Sequence, residues 1–355
     1  MARRLFAMMA GVTSALVLLL CAGLWLGLAP TAARATVDGP QGAASRLPER
    51  TWENYFGVAI LPSGRAIVVG DKGIVMTSED KGQTWSRRQL AKGPALFDLY
   101  SVAFAPDGSH GWAVGDGGAI FRSDDSGATW NLQENKQPAA LLKIAVVDAQ
   151  KACAVGEHGT VLCTSDGGAS WNLQKFEDIV FFDVAFTDPQ NGWAVGEFAT
   201  AIHTADGGKT WSIQTGGQRS ITADPYFAIA FADPTNGLVV GLNGTDMVTT
   251  DGGKSWKAGA LPGETHSIFS AVPKPAGGAS DELYLGGADG TLGSLEQGKM
   301  VAASSATSNS ITAVALSPGY SLAVGVAGTV LRSEDVGQHW SSVTAGGPVA
   351  QTQAQ

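Results

Sequence analysis

Five times the chain repeats the pattern Ser/Thr-x-Asp-x-Gly-x-Ser/Thr-Trp, at residues 78–85, 123–130, 164–171, 204–211 and 249–256. A sixth copy, residues 333–340, differs only in carrying His339 where the others have a hydroxyl residue. The motif aspartates are Asp80, Asp125, Asp166, Asp206, Asp251 and Asp335, stepping by 45, 41, 40 and 45 residues and then by 84, two periods. A copy is therefore missing near residue 297. A second pattern supplies it: a Gly-x-x-Gly turn ends seven residues before each motif Asp, at 70–73, 115–118, 156–159, 196–199 (closing on Ala199), 241–244 and 325–328. The same turn at 287–290 puts Gln297 where the Asp belongs. The chain is thus seven repeats of about 42 residues, one of which has lost its box.

A period of this length means one supersecondary unit per repeat, unable to bury its apolar face without a neighbour. Each unit reads as four short strands, exemplified by 100–104, 111–115, 119–122 and a fourth opening on Trp130. Gly, Asp and Pro turns separate them, and no segment keeps a helical period. Glycine, 47 of 355 residues, fits a turn-dense all-β protein. Radially repeated four-stranded units are propeller blades. The expected fold is an all-β, seven-bladed β-propeller with four-stranded blades over residues 51–345, followed by a flexible tail at 346–355. The box is itself a turn device. Its Asp bonds nearby N–H groups, its Gly takes positive φ, and its Trp packs against strands. The alternating oxygens and final Glu of a calcium loop are missing, so the boxes read as structural and no metal is expected.

Residues 1–35 stand outside this pattern. Arg3 and Arg4 precede an uncharged apolar run from Phe6 to Ala29, and Ala33-Arg34-Ala35 offers a small-x-small cleavage site. The run reads as a signal peptide for export, or as a retained anchor if left uncleaved. Residues 36–50, rich in Gly, Ala and Pro, read as a linker. Losing residues 1–35 removes three Arg and no acid, taking the net charge from −9 to −12. An acidic protein repels phosphate backbones, which argues against nucleic acid as a partner.

Cys153 and Cys163 flank the turn at 156–159 and fall at positions that face each other across a hairpin, as do Trp112/Arg122 and Leu322/Arg332 in other repeats. In an oxidising compartment the pair can be bridged; the plainer alternative is two small core residues.

Enzyme signatures are missing. The five histidines are scattered, and neither a nucleophile elbow, a P-loop nor a His-Glu-x-x-His motif occurs. Boxes of this type also occur in sialidase-like glycoside hydrolases, and Arg46-Leu47-Pro48 weakly resembles their Arg-Ile-Pro motif. That alternative reading needs an arginine triad and paired carboxylates that the sequence does not place. The starts of the first strands, by contrast, are rich in aromatics: Tyr55, Phe56, Phe97, Tyr100, Phe181, Phe182, Tyr226 and Phe227. Rings around a concave mouth suit anchoring of a protein segment. Tyr55, Phe97, Tyr100, Phe182, Tyr226 and Phe227, with Arg219 to meet a partner carboxylate, are the candidate binding residues.

The cadence Gly192-Trp193-Ala194-Val195-Gly196 followed by Thr204-Ala205-Asp206-Gly207-Gly208-Lys209-Thr210-Trp211 resembles the photosystem II stability and assembly factor family of Asp-box propellers. The similarity runs over residues 50–345. It implies a non-catalytic, cofactor-free monomer in the periplasm or thylakoid lumen, holding an integral membrane protein or its nascent subunit. It also implies an arginine-rich binding patch, and residues 36–355 contain eight arginines.

Overall fold

Runs such as Gly111-Trp112-Ala113-Val114-Gly115 are apolar at every position rather than alternating, and the structure buries them on both faces. The structure is a computed structural model and describes residues 53–90, 97–217, 223–259, 261, 265–275, 282–296 and 298–343. The N-terminal apolar run, the linker, Thr51, Trp52, Arg219 and the 346–355 tail lie outside the described residues.

Blade one comprises β1 (Tyr55–Ile60), β2 (Ala66–Gly70), β3 (Ile74–Ser78) and β4 (Ser86–Gln89). Blade two follows with β5 (Leu99–Phe104), β6 (Gly111–Gly115), β7 (Ile120–Ser123) and β8 (Asn131–Leu132). Blade three is β9 (Leu141–Val146), β10 (Ala152–Gly156), β11 (Thr160–Thr164) and β12 (Asn172–Lys175). Blade four is β13 (Phe181–Phe186), β14 (Gly192–Gly196), β15 (Thr200–Thr204) and β16 (Ser212–Thr215). Blade five is β17 (Tyr226–Phe231), β18 (Gly237–Gly241), β19 (Asp246–Thr249) and β20 (Lys257–Ala258). Blade six is β21 (Ile268–Pro273), β22 (Leu283–Gly287), β23 (Leu292–Glu296) and β24 (Lys299–Ala302). Blade seven is β25 (Ile311–Leu316), β26 (Ser321–Gly325), β27 (Val330–Ser333) and β28 (Ser341–Ser342).

Every blade is an antiparallel sheet of four consecutive strands. The first strands touch one another in order, β1 to β5 to β9 and onward, and β25 returns to β1. This is the expected seven-bladed propeller, with first strands innermost. Seven apolar clusters each join two adjacent blades. Side chains such as Trp112 and Ile67 are fully buried there, each contributing about 1.5–3 kcal/mol by leaving water.

The boxes work as turns. In blade two the Ser123 hydroxyl donates to Asp125 Oδ1 (2.8 Å) and accepts from the Gly127 N–H (2.8 Å). Asp125 also accepts from the N–H and hydroxyl of Thr129, both at 2.7 Å. Box Trp side chains pack on the preceding blade: Trp85 joins Leu322 and Val324, and Trp340 joins Tyr284. In blade six Glu296 pairs with Lys299, and Met300 packs on blade five in the place of the Trp. The Gly-x-x-Gly turns owe their first glycine to a close approach: a Cβ on Gly115 would lie 2.0 Å from the Asp98 carbonyl oxygen.

Cys153 and Cys163 are directly opposed, with Cα atoms 4.1 Å apart, and form a disulfide. The box of blade four covers it closely; a Cβ on Gly208 would sit 2.6 Å from Cys153 Sγ.

Candidate functional site

The ring has two faces. One carries the boxes. The other, the turn face, carries the Gly-x-x-Gly turns together with the segments leading into the first strands, because each first strand starts opposite the end of the second, as Leu99 does opposite Gly115.

The first two residues of each inner strand alternate in direction. Tyr55, Leu99, Leu141, Phe181, Tyr226, Ile268 and Ile311 turn into the clusters between blades. Their neighbours Phe56, Tyr100, Leu142, Phe182, Phe227 and Phe269 turn toward the axis and make one collar, with Ala140 and Val180. Ring centroids run from Phe56 to Tyr100 at 5.5 Å, from Phe182 to Phe227 at 5.4 Å and from Phe227 to Phe269 at 5.5 Å.

The sequence-derived candidates therefore divide. Tyr100, Phe182 and Phe227 come together in the collar; Tyr55 and Tyr226 are packed between blades. Phe97 stacks on Phe121 at 5.6 Å within the cluster shared by blades one and two. Exposure of these six rings is 8% or less. They wall the mouth and shape it rather than project from it, so truncating Tyr226 removes core packing. Arg219 lies outside the described residues. Phe269 and Leu142, collar members the sequence reading passed over, were legible from their place at the second position of the first strand.

Carboxylates crowd the turn face beside the collar. The residue after the first glycine of each turn is Asp71, Asp116, Glu157 and Glu197 in blades one to four, then Leu242, Ala288 and Val326 in blades five to seven. The Tyr100 hydroxyl donates to Asp116 Oδ1 at 2.8 Å. Burial, then the charges of Asp116, Asp98 and Glu157, push the Tyr100 phenol well above its ordinary range. Asp98 accepts the Lys72 N–H at 2.9 Å, and Asp71 is raised by burial and then by Asp98. One residue beyond the collar, buried Asp183 accepts from the Ile229 N–H (2.9 Å) and the Val184 N–H (2.8 Å) and faces Lys143 Nζ at 3.4 Å. Its carboxyl is nonetheless raised, because burial outweighs the lysine. These groups form an acidic, apolar-walled mouth suited to contact with a peptide segment.

The family model for the photosynthesis system II assembly factor YCF48 matches residues 50–179 and 173–224. The chain belongs to the photosystem II assembly factor-like family of Asp-box propellers. No curated protein matches it by sequence. Among solved structures, YCF48 from Cyanidioschyzon merolae is 17% identical with a TM-score of 0.64, over 82% of this chain and 98% of that one. A YCF48 bound to a D1 peptide is 19% identical with a TM-score of 0.65, over 84% and 99%. An ancestral GH74 enzyme shares the fold at 14% identity and a TM-score of 0.63, over 87% of this chain and 48% of its own.

An arginine-rich patch is what the family likeness implies, and the five arginines among the described residues do not form one. Arg65 pairs with Glu79 (2.6 Å), Arg87 with Glu53 (2.5 Å), Arg122 with Asp124 (2.7 Å) and Arg332 with Glu334 (2.6 Å). Arg88 donates to the Ala128 carbonyl at 2.5 Å. Arg46, Arg50 and Arg219 lie outside the described residues.

Proposed function

We propose that this protein is a non-catalytic assembly or accessory factor that holds a segment of an integral membrane protein at the turn face of its propeller. The match of residues 50–224 to the YCF48 family model carries the reading. The D1 peptide held by a solved YCF48 supports a peptide segment as the thing bound. The apolar run at 6–29 and its small-x-small site support placement on the exported side of a membrane, in periplasm or lumen.

The test has two arms. A labelled D1 peptide is titrated against the chain by fluorescence anisotropy, and the chain is recovered from a mild detergent extract with its associated proteins. The proposal expects saturable peptide binding or stoichiometric recovery of one integral membrane protein. Three further carboxylates stand on the turn face: Glu177, whose backbone abuts Gly159, Asp224, which accepts from the Thr245 hydroxyl just after the 241–244 turn, and Asp289, within the 287–290 turn. Glu177→Gln, Asp224→Asn and Asp289→Asn together should weaken that binding, while the box-face pair Lys81→Ala and Lys209→Ala should leave it unchanged. Failure of both arms together with turnover of a glycan substrate would assign the chain to the hydrolase branch.

A further inference from the structure

Blade six interrupts the repeat, and a cavity of about 830 Å³ opens beside it, between blades six and seven on the box face. Two other blades show what such a space holds. In the third strand of blade two, Arg122 stands opposite Trp112; in blade seven, Arg332 stands opposite Leu322. Both arginines make the same set of contacts. Each pairs with the acid two residues further on, Arg122 with Asp124 at 2.7 Å and Arg332 with Glu334 at 2.6 Å. Each also donates to the carbonyl of the residue that follows the box Asp in the next blade. For Arg122 that residue is Gly167, and for Arg332 it is Lys81, at 2.7 Å. Finally, each lies against an aromatic ring, Arg122 at 4.9 Å from Trp112 and Arg332 at 5.9 Å from Tyr320.

Blade six keeps the acid, the ring and the neighbouring box carbonyl but has a serine in place of the arginine, and the serine hydroxyl donates to the acid at 2.7 Å. The equivalent position is Ser294, opposite Tyr284. The acid two residues on is Glu296, and the residue after the next box Asp is Val336. Tyr284, Ser294, Glu296, Asp335 and Val336 all line the cavity. The box of blade seven, with Asp335, Val336, Gly337, Gln338 and His339, overhangs the space, and Val301 and Ala302 of β24 line its outer side. Lys274 Nζ approaches Glu296 at 3.5 Å but is held more closely by Glu282. The lining carries two carboxylates, Glu296 and Asp335, against the one ammonium group of Lys274.

We propose that this cavity is an arginine-binding slot, which takes the guanidinium of an arginine presented by a partner protein in the place that Arg122 and Arg332 hold within their own blades. A planar fork can pair with Glu296 and reach the Val336 carbonyl together, as the two internal arginines do; a lysine, a point charge, cannot do both. The slot lies on the face opposite the collar, and its chemistry stands whether or not the turn face captures a membrane protein.

The probe is N-acetyl-arginine methylamide, with the citrulline analogue as its neutral isostere. The full chain, in mild detergent, carries ¹³C-labelled tyrosine; its five tyrosines give a readable spectrum, and Tyr284→Phe assigns the signal in the slot. Saturable movement of the Tyr284 signal by the arginine probe is expected, with the citrulline analogue weaker by roughly tenfold or more. Ser294→Arg should abolish the response while the other tyrosine signals stay in place. Glu296→Gln, which keeps the shape of the wall, should weaken it by roughly tenfold. A Tyr284 signal that does not move, citrulline binding as well as arginine, or an undiminished response in either variant overturns the proposal.

Discussion

Val336 occupies the left-handed backbone region at φ 56, directly after the aspartate of the sixth box, in blade seven. The same position is glycine in blades three, four and five, and Lys81 or Ser126 in blades one and two. A β-branched residue there costs about 1–2 kcal/mol, part of which glycine returns as unfolded-state entropy. Val336→Gly should therefore stabilise the protein by about 1 kcal/mol, read as a higher urea midpoint at unchanged slope. The box aspartates set a pH response. Hydrogen bonds from the Ser170 and Thr164 hydroxyls and the Ser170 N–H lower Asp166 to about 2, and similar partners lower Asp251 to about 2. Asp206 also falls to about 2, its box bonds to Thr210 and Thr204 outweighing the opposing effect of burial. A folded-state value below the ordinary 3.8 means that stability is complete above 3.8 and is lost as pH falls toward 2. Asp71 and Asp183, raised by burial, act in the opposite sense in a window above 3.8. The urea midpoint should fall steeply between pH ~4 and ~2, and replacing Asp166, Asp206 and Asp251 together by Asn should flatten that fall. A midpoint unchanged across this window would mean the box carboxylates are not ionised partners of the turn.

Hairpins show where the sequence could be read and where it could not. The pairing of Cys153 with Cys163 follows from counting residues back from the turn at 156–159, because antiparallel register is fixed by the turn itself. Closing this ten-residue separation should contribute ~2–3 kcal/mol through unfolded-state entropy. Protein isolated without reductant should yield one linked peptide pair, and Cys153→Ala with Cys163→Ala should lose that amount on denaturant unfolding; two freely alkylated thiols would remove the basis for it. The first strands were less legible. Aromatics at 55, 56, 181, 182, 226 and 227 announced a ring of side chains, but a strand sends neighbours to opposite sides. Which neighbour faces the axis depends on how the strand tilts in the closed ring, and the bulge after the first pair, between Phe181 and Asp183 in blade four, resets the alternation. So Phe182 and Phe227 reached the collar while Tyr55 and Tyr226 became core. The slot beside blade six was hidden for a related reason. A serine where two other blades carry arginine is visible in sequence, yet the space it leaves depends on Ser294 standing opposite Tyr284 and facing the next blade.

Among the described residues each sheet uses strands consecutive in the chain, so blades one and seven are held together by packing and a few polar contacts. The Thr312 hydroxyl donates to the Tyr55 carbonyl (2.6 Å), the Tyr320 hydroxyl to the Gly64 carbonyl (2.8 Å) and Arg332 Nε to the Lys81 carbonyl (2.7 Å). Backbone N–H groups of the last turn complete the seam, Gly328 donating to the Glu53 carbonyl at 2.6 Å and Ala327 to Asn54 Oδ1 at 3.0 Å. Elsewhere the blades join by similar apolar clusters with the chain running continuously between them. The seam differs mainly in lacking a covalent link. Repeat architectures derive stability from each unit and its contacts with nearest neighbours, so the position of the chain break should matter little. A circular permutant of residues 53–343, with old ends joined by a Gly/Ser linker and new ends placed between β20 and β21, should keep the circular dichroism spectrum and lie within about 2 kcal/mol of the parent. The permutant omits Thr51 and Trp52, whose place in the repeat is that of a fourth strand opening just before blade one. If that segment completes blade seven as an added strand, the permutant will unfold at markedly lower denaturant, and restoring residues 45–52 ahead of Glu53 will recover the midpoint. An unchanged midpoint with and without those residues establishes that seven self-contained blades close the ring by themselves.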